Sequence, residues 1–297
     1  MKPERFARLV PLALAVAVAS ISFAAIFFRL AGPTHPLVVA GTRLAIASLV
    51  LQVAVARALR AGRLPRRVLS RALVCGLLYG AHFGTWVTSL TMTSVASSVT
   101  LVTATPLVLA IVALWAGRDA PSRRHWLSIA LALAGLSLIG WADFSLSTMA
   151  LIGDGLALAG AAAMALYLLL VRGLGSDLDV LAFGGVATAV GAASLLGAAA
   201  LVGVPFEYAS PSSLLWIAMA ALVPQLVGHT LLTWSLRHAT PTAVGIATVG
   251  EPVGATLLAW LWLGESVSPI VGAGCAVTLV AVALSLVPSR DGAHAVG

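Results

Sequence analysis

Charge is what this chain has least of. Asp, Glu, Lys and Arg make up 9% of its 297 residues, against 60% hydrophobic residues. With a mean hydropathy of +1.05 there are too few polar side chains to cover a water-soluble body of that size, so the class is a polytopic membrane protein. Acid is scarcer than base, 10 Asp+Glu against 17 Lys+Arg. In a soluble chain a pI near 10.7 would point to nucleic acid, but no basic stripe or zinc-finger spacing accompanies it. The arginines lie instead in short loops between apolar runs, where they set topology. Cysteine is nearly missing. Cys75 and Cys275, both within apolar runs, are too few for a disulfide framework or a metal site and read as packing residues. There is also no His-Glu-x-x-His pair, no Gly-x-Ser-x-Gly elbow and no Gly-rich phosphate loop with a lysine, so the expectation is a protein that is not an enzyme and carries no cofactor or metal. Gly153-Asp154-Gly155 lacks the second aspartate that an intramembrane protease needs, and Asp154 reads as interfacial.

What the chain has is ten apolar segments of helical length, at about 9–30, 36–59, 70–91, 95–117, 124–142, 151–172, 179–203, 212–236, 242–263 and 268–288. About 20 helical residues cross the ~30 Å hydrocarbon layer, and each segment meets or nearly meets that length. Barrel-type alternation is absent, so strands are excluded. The first segment follows basic residues as a signal peptide would, but it is longer than a usual signal core and further spans follow at once, so it reads as a membrane helix. Fifteen of the 17 Lys+Arg fall at the termini and in the even-numbered loops, leaving Arg29 and Arg43. By the positive-inside rule both termini are cytoplasmic, in a multi-pass protein of the cytoplasmic (inner) membrane.

The chain also repeats itself. Leu90 precedes Thr105-Pro106 as Leu236 precedes Glu251-Pro252, and both prolines lead through an apolar stretch to an acid, Asp119 or Glu265, with an offset of 146 residues between Pro106 and Pro252. That is a duplication of half the protein. The expected units are 9–142 and 151–288, each with five spans. An odd number of spans inverts the second copy, which predicts an all-α integral membrane fold of ten transmembrane helices in two inverted five-helix repeats.

With Arg43 in the second span, Thr105-Pro106 in the fourth, Glu251-Pro252 in the ninth and Gly264-Glu265 after it, the chain resembles the EamA-type members of the drug/metabolite transporter superfamily over nearly its whole length. The resemblance implies a transporter of amino acids, metabolites or drugs. The first repeat departs from the pattern, with Thr105 in place of Glu251 and Arg118-Asp119 in place of Gly264-Glu265, so any role of a Glu-Pro pair is assigned to the second half alone.

Polar groups at membrane depth carry the functional reading, because a charge at the centre of a membrane helix costs about 2.5–3.5 kcal/mol even on lenient scales. Arg43 either snorkels to the outer interface or faces the pathway and pairs with a carboxylate; Arg29, nearer its helix end, reads as a snorkelling residue. Glu251 lies near the midplane in Gly250-Glu-Pro-Val-Gly254 and is either a structural acceptor or a protonatable coupling site. Pro106 and Pro252 are expected to kink their helices. Tyr79, His82, Trp86 and Ser89 fall in one stripe at 100° per residue, with Gly80 and Gly84 on another side. That stripe faces either a cavity or a packed helix. His82 lies 24 residues before Pro106 and His229 lies 23 before Pro252, nearly equivalent places in the two repeats, and Gln225 lies one turn before His229. Ser97, Thr100 and Thr103 read as interhelical hydrogen-bonding groups, with Thr100 a further candidate for substrate contact.

The expected function is a secondary transporter exporting small metabolites or amino acids by alternating access. The candidate substrate-binding set is Tyr79, His82, Trp86, Thr100, Gln225, His229 and Glu251. Two alternatives stay open: a multidrug or quaternary-ammonium exporter using Glu251, Trp86 and Tyr79 as a cation site, and a membrane receptor or assembly subunit that moves nothing. The expected partners are a small-molecule substrate, the lipid bilayer and, through spans five and ten, a second copy in a homodimer. Nucleic acid is not expected.

Overall fold

The computed structural model describes residues 9–93, 95–116, 121–140, 147–264 and 266–286. Lys2, Arg5, Arg8, Arg118, Asp119, Glu265 and Arg290, which entered the topology and repeat arguments, lie outside the described residues. In chain order the helices are α1 Val10–Leu30, α2 Pro36–Arg60, α3 Arg66–Ser89, α4 Val95–Val102, α5 Thr105–Ala116, α6 Arg123–Gly140, α7 Thr148–Arg172, α8 Val180–Leu201, α9 Pro211–Ala220, α10 Thr230–Ser235, α11 Pro241–Thr248, α12 Glu251–Leu263 and α13 Pro269–Leu286. A π-helical stretch, Ala221–His229, joins α9 to α10. No strand occurs among the described residues.

The helix starts are written in the sequence. Ser147, Asp179, Ser210 and Thr240 each accept a hydrogen bond from the backbone N–H three residues on, and Pro36, Pro211 and Pro241 fill first-turn positions that need no donor. At the end of α12, Gly264 adopts φ +70°, a left-handed stop that a side chain disfavours. Two segments expected to be continuous are broken. Pro106 ends the pairing between α4 and α5, and Pro252 does the same between α11 and α12, because each proline lacks the N–H that would bond back one turn. Pro224 sits inside the π-helical stretch, where the same missing donor is absorbed by a wider turn.

Among the described residues seven helices or helix pairs are long and apolar enough to cross a membrane, with α4–α5, α9–α10 and α11–α12 each counting as one. Three of the ten expected segments are not among them. Helix α3 carries Arg66, Arg67 and Arg71 and the polar stripe, α6 opens on Arg123-Arg124-His125, and α13 is apolar but shorter.

The packing has a consistent pattern. Helix α2 runs along α8, α6 along α13 and α5 against α11; α3 packs on α7, and α1 on the α9–α10 segment; α7 covers α4 and α5 as α1 covers α12. Small residues permit these approaches. A Cβ on Gly76 would lie 2.8 Å from the Ala187 carbonyl, and one on Gly228 would lie 3.2 Å from the Ala17 carbonyl. The main core cluster lies where α1, α3, α7, α8 and α10 meet.

Candidate functional site

The break at Glu251 is stitched to α1, where Ser22 donates to the Glu251 carbonyl at 3.3 Å while also bonding Val18 of its own helix. The opening of α12 is thereby held at the middle of the bundle. Around it lies a cavity of about 60 Å³. From the first half it is lined by Ile21 and Ala24 of α1, Arg43 of α2, Tyr79, His82, Phe83 and Trp86 of α3, and Val99, Val102, Thr103 and Thr105 at the α4–α5 break. From the second half come Met164, Tyr167 and Leu168 of α7, His229, Leu232 and Thr233, and Thr248 and Glu251 at the α11–α12 break. Thr105 and Glu251, each before the proline of its repeat, therefore border one space.

Tyr79, His82 and Trp86 of the α3 stripe face this cavity and Ser89 instead pairs with Ser98 of α4, while Gly80 and Gly84 face Ser194 and Leu195 of α8. Tyr79 stacks on Tyr167 at 4.4 Å between ring centroids, and His229 meets the rings of Tyr79 and Phe83 edge-on at 5.8 and 5.7 Å. His82 Nδ1 lies 2.9 Å from the Gly160 carbonyl. A carbonyl only accepts, so this contact places the proton on Nδ1. The Tyr167 hydroxyl and Thr233 Oγ1 share a hydrogen bond of 3.1 Å across the wall.

Arg43 does not snorkel. It is 1% exposed, its Nη2 donates to Gln225 Oε1 at 2.9 Å, and its guanidinium lies 4.1 Å from the centroid of Phe83 and 5.3 Å from that of Phe28. The two rings and the amide reward burial more than the distant interface would, since a guanidinium stacks well and is weakly hydrated. Gln225 is consequently occupied with Arg43 and does not line the cavity. Glu251 is half-buried and borders the cavity. It feels Arg43 electrostatically, yet the two do not form an ion pair among the described residues.

Thr100 is not in this cavity. Its hydroxyl donates to the Leu136 carbonyl of α6 at 3.1 Å, and the residue lines a separate outer cleft. Ser97 donates to Asp154 Oδ1 at 2.8 Å, so that carboxylate serves the α4–α7 contact. Thr103 bonds carbonyls of its own helix while lining the cavity. Tyr167, Thr233, Thr248 and Phe83 were not singled out from the sequence. Tyr167 stands in an apolar run with no polar neighbour at helical spacing to mark a face, while Phe83, four residues after Tyr79 and three before Trp86, borders the stripe but has no polar atom of its own. Thr248 lies three residues before Glu251, the one signal that could have found it.

Towards the end that carries Arg29, the cavity meets two clefts at Val99, one of which also shares Trp86; Arg29, which is exposed, lines both. Towards the arginine-rich end it is closed. Leu168, Val171, Leu236, Val244 and Ala247 are buried there, and Arg172 Nη1 donates to the Leu236 carbonyl at 2.9 Å.

Apolar helices packed around an internal cavity with a few convergent polar groups define the class as a multi-pass membrane transport protein. A family model described as the EamA-like transporter family matches residues 9–141 and again residues 151–287. The chain belongs to that family, within the drug/metabolite transporter superfamily. A solved crystal structure of a protein, 17% identical, superposes with a TM-score of 0.76 over 93% of this chain and 96% of that chain, a likeness of fold. No curated protein matches the chain.

Proposed function

We propose that the chain is a ten-span secondary transporter of two inverted five-helix repeats that exports a small metabolite or amino acid across the cytoplasmic membrane by alternating access, with both termini cytoplasmic. The observation that carries this reading is the central cavity, bordered by helices of both halves and by both proline breaks. The packing supports it. Exchanging the first five spans with the second five turns the α3–α7 contact into that of the α9–α10 segment with α1, and maps the α2–α8, α6–α13 and α5–α11 contacts onto themselves. A cavity that adjoins open clefts towards one end and is sealed at the other fits one of the two states of a transporter.

A bare organic cation is the weaker substrate. Tyr79, Trp86 and Glu251 would suit it, but the buried guanidinium of Arg43 shares the same wall and repels a solute that brings positive charge alone. A solute that also carries an acidic group gives Arg43 a counter-charge.

The test is efflux and counterflow from proteoliposomes against a metabolite and amino-acid panel, with and without a pH gradient. Saturable transport of a solute bearing both groups is expected; binding without movement of any solute would leave a receptor. The topology has its own check. Reporter fusions after Arg60 and Arg290 should be cytoplasmic and one after Phe206 external, and an external C-terminal reporter would end the ten-span arrangement.

A further inference from the structure

Five buried side-chain nitrogen or oxygen atoms have no hydrogen-bond partner among the described residues, and two of them belong to residues of the central cavity: Arg43 Nε and Trp86 Nε1. The other three, on Arg71, Arg124 and Ser128, belong to residues that do not line it. Both cavity atoms are donors on well-buried residues, with Arg43 1% and Trp86 5% exposed. Their residues also share two neighbours. The Arg43 guanidinium lies 4.1 Å from the Phe83 centroid and 5.3 Å from that of Phe28, and the Trp86 ring lies 6.3 and 6.0 Å from the same two centroids. Buried donors are almost always paired in folded proteins, so a pair left open beside one cavity calls for an acceptor that arrives from outside. Arg43 also carries a charge that no carboxylate contacts among the described residues, and a buried cation without a counter-charge is costly. Gln225 takes Nη2, which fixes the fork and leaves Nε for a ligand.

We infer that Arg43 and Trp86 form an oxyanion receptor, which takes the carboxylate or phosphate of the transported solute through Arg43 Nε–H and Trp86 Nε1–H. This rests on the cavity being the transport site and narrows what enters it. A guanidinium edge beside an indole N–H presents two donors to an acceptor with two or three oxygens, and a charge-assisted bond of this kind is about twice as strong as a neutral one. The apolar part of the solute then lies against the aromatic walls. An amide of the same shape offers one neutral acceptor oxygen and an ammonium none, so neither supplies the charge-assisted pair of bonds.

The test is equilibrium binding to the full-length protein in detergent, measured by calorimetry with five solutes of one carbon skeleton: L-leucine, L-leucinamide, 4-methylpentanoate, 3-methylbutylamine and 3-methylbutyl phosphate. The three with an oxyanion are expected to bind roughly 10- to 100-fold more tightly than the amide and the amine. The order of the carboxylates and the phosphate tells which oxyanion the receptor fits. Trp86→Phe keeps the ring and removes only the donor, so it carries the test even where Arg43→Gln fails to fold, and either variant should shrink the preference to a few-fold. Equal affinity for acid and amide in the wild type, or a preference that survives Trp86→Phe and Arg43→Gln unchanged, would overturn the inference. Preferred binding of an acid without movement across liposomes would sink the transport reading and leave the receptor standing. Movement of acid, amide and amine alike would do the reverse.

Discussion

Glu251→Gln is expected to bring gradient-driven transport down to the level of empty liposomes while substrate-for-substrate exchange continues. Among the described residues Glu251 is the one carboxylate bordering the central cavity. It opens α12 at a proline break, where its backbone is pinned by Ser22, so its side chain keeps its place as the halves move. A carboxyl at that position can take a proton from one side and release it to the other only if it is ionisable. Glutamine has nearly the same shape and hydrogen-bonding reach but cannot release a proton, so exchange at fixed protonation remains open to it. Flux driven by an imposed pH gradient, measured beside counterflow in the same vesicles, separates the cases. Loss of both would make Glu251 the site of a substrate ammonium; wild-type values of both would make it structural and return coupling to His82 and His229.

The second large effect is on folding. Gly135 of α6 and Gly274 of α13 cross so closely that a Cβ on the first would lie 2.8 Å from the carbonyl of the second, and a Cβ on the second 2.7 Å from the carbonyl of the first. Those neighbours are backbone and cannot turn aside, so Gly135→Val and Gly274→Val should force the helices apart at a cost of roughly 1–3 kcal/mol or more. The expected reading is a lower melting temperature and a smaller monodisperse fraction in detergent. Gly272→Ala on the same helix is the control. A Cβ there meets nothing within 4 Å, so its lower backbone entropy in the unfolded chain leaves it neutral or stabilising by about 0.4–1 kcal/mol. Equal stability of all three variants would show that the crossing is not tight.

How much of this could be read beforehand follows the physics of each element. The phase of Tyr79, His82 and Trp86 was legible because α3 is unbroken, and 100° per residue holds along an unbroken α-helix. The proline breaks were legible as kinks from Pro106 and Pro252. Gln225 was placed on the His229 face, but what it touches was not legible, because the π-helical stretch around Pro224 changes the residues per turn and brings Gln225 to Arg43 while His229 meets the α3 rings. Arg43 left two outcomes open in the sequence, since seven residues from a helix end is within reach of the interface; only the positions of Phe83, Phe28 and Gln225, distant in the chain, decide it. Thr100 faced the same limit. Its helical spacing with Ser97 and Thr103 allowed a ligand or a neighbouring helix, and the Leu136 carbonyl is the nearer partner.

Alternating exposure of one central cavity is the core of the account, and cysteine accessibility reads it directly. Thr248 lines the cavity and is half-buried, so Thr248→Cys in a chain with Cys75→Ser and Cys275→Ser offers a single thiol there. Labelling with a membrane-impermeant maleimide from each side of oriented vesicles should modify it from both sides, and a transported solute should change the two rates. Modification from one side only, whatever the solute, would contradict alternating access.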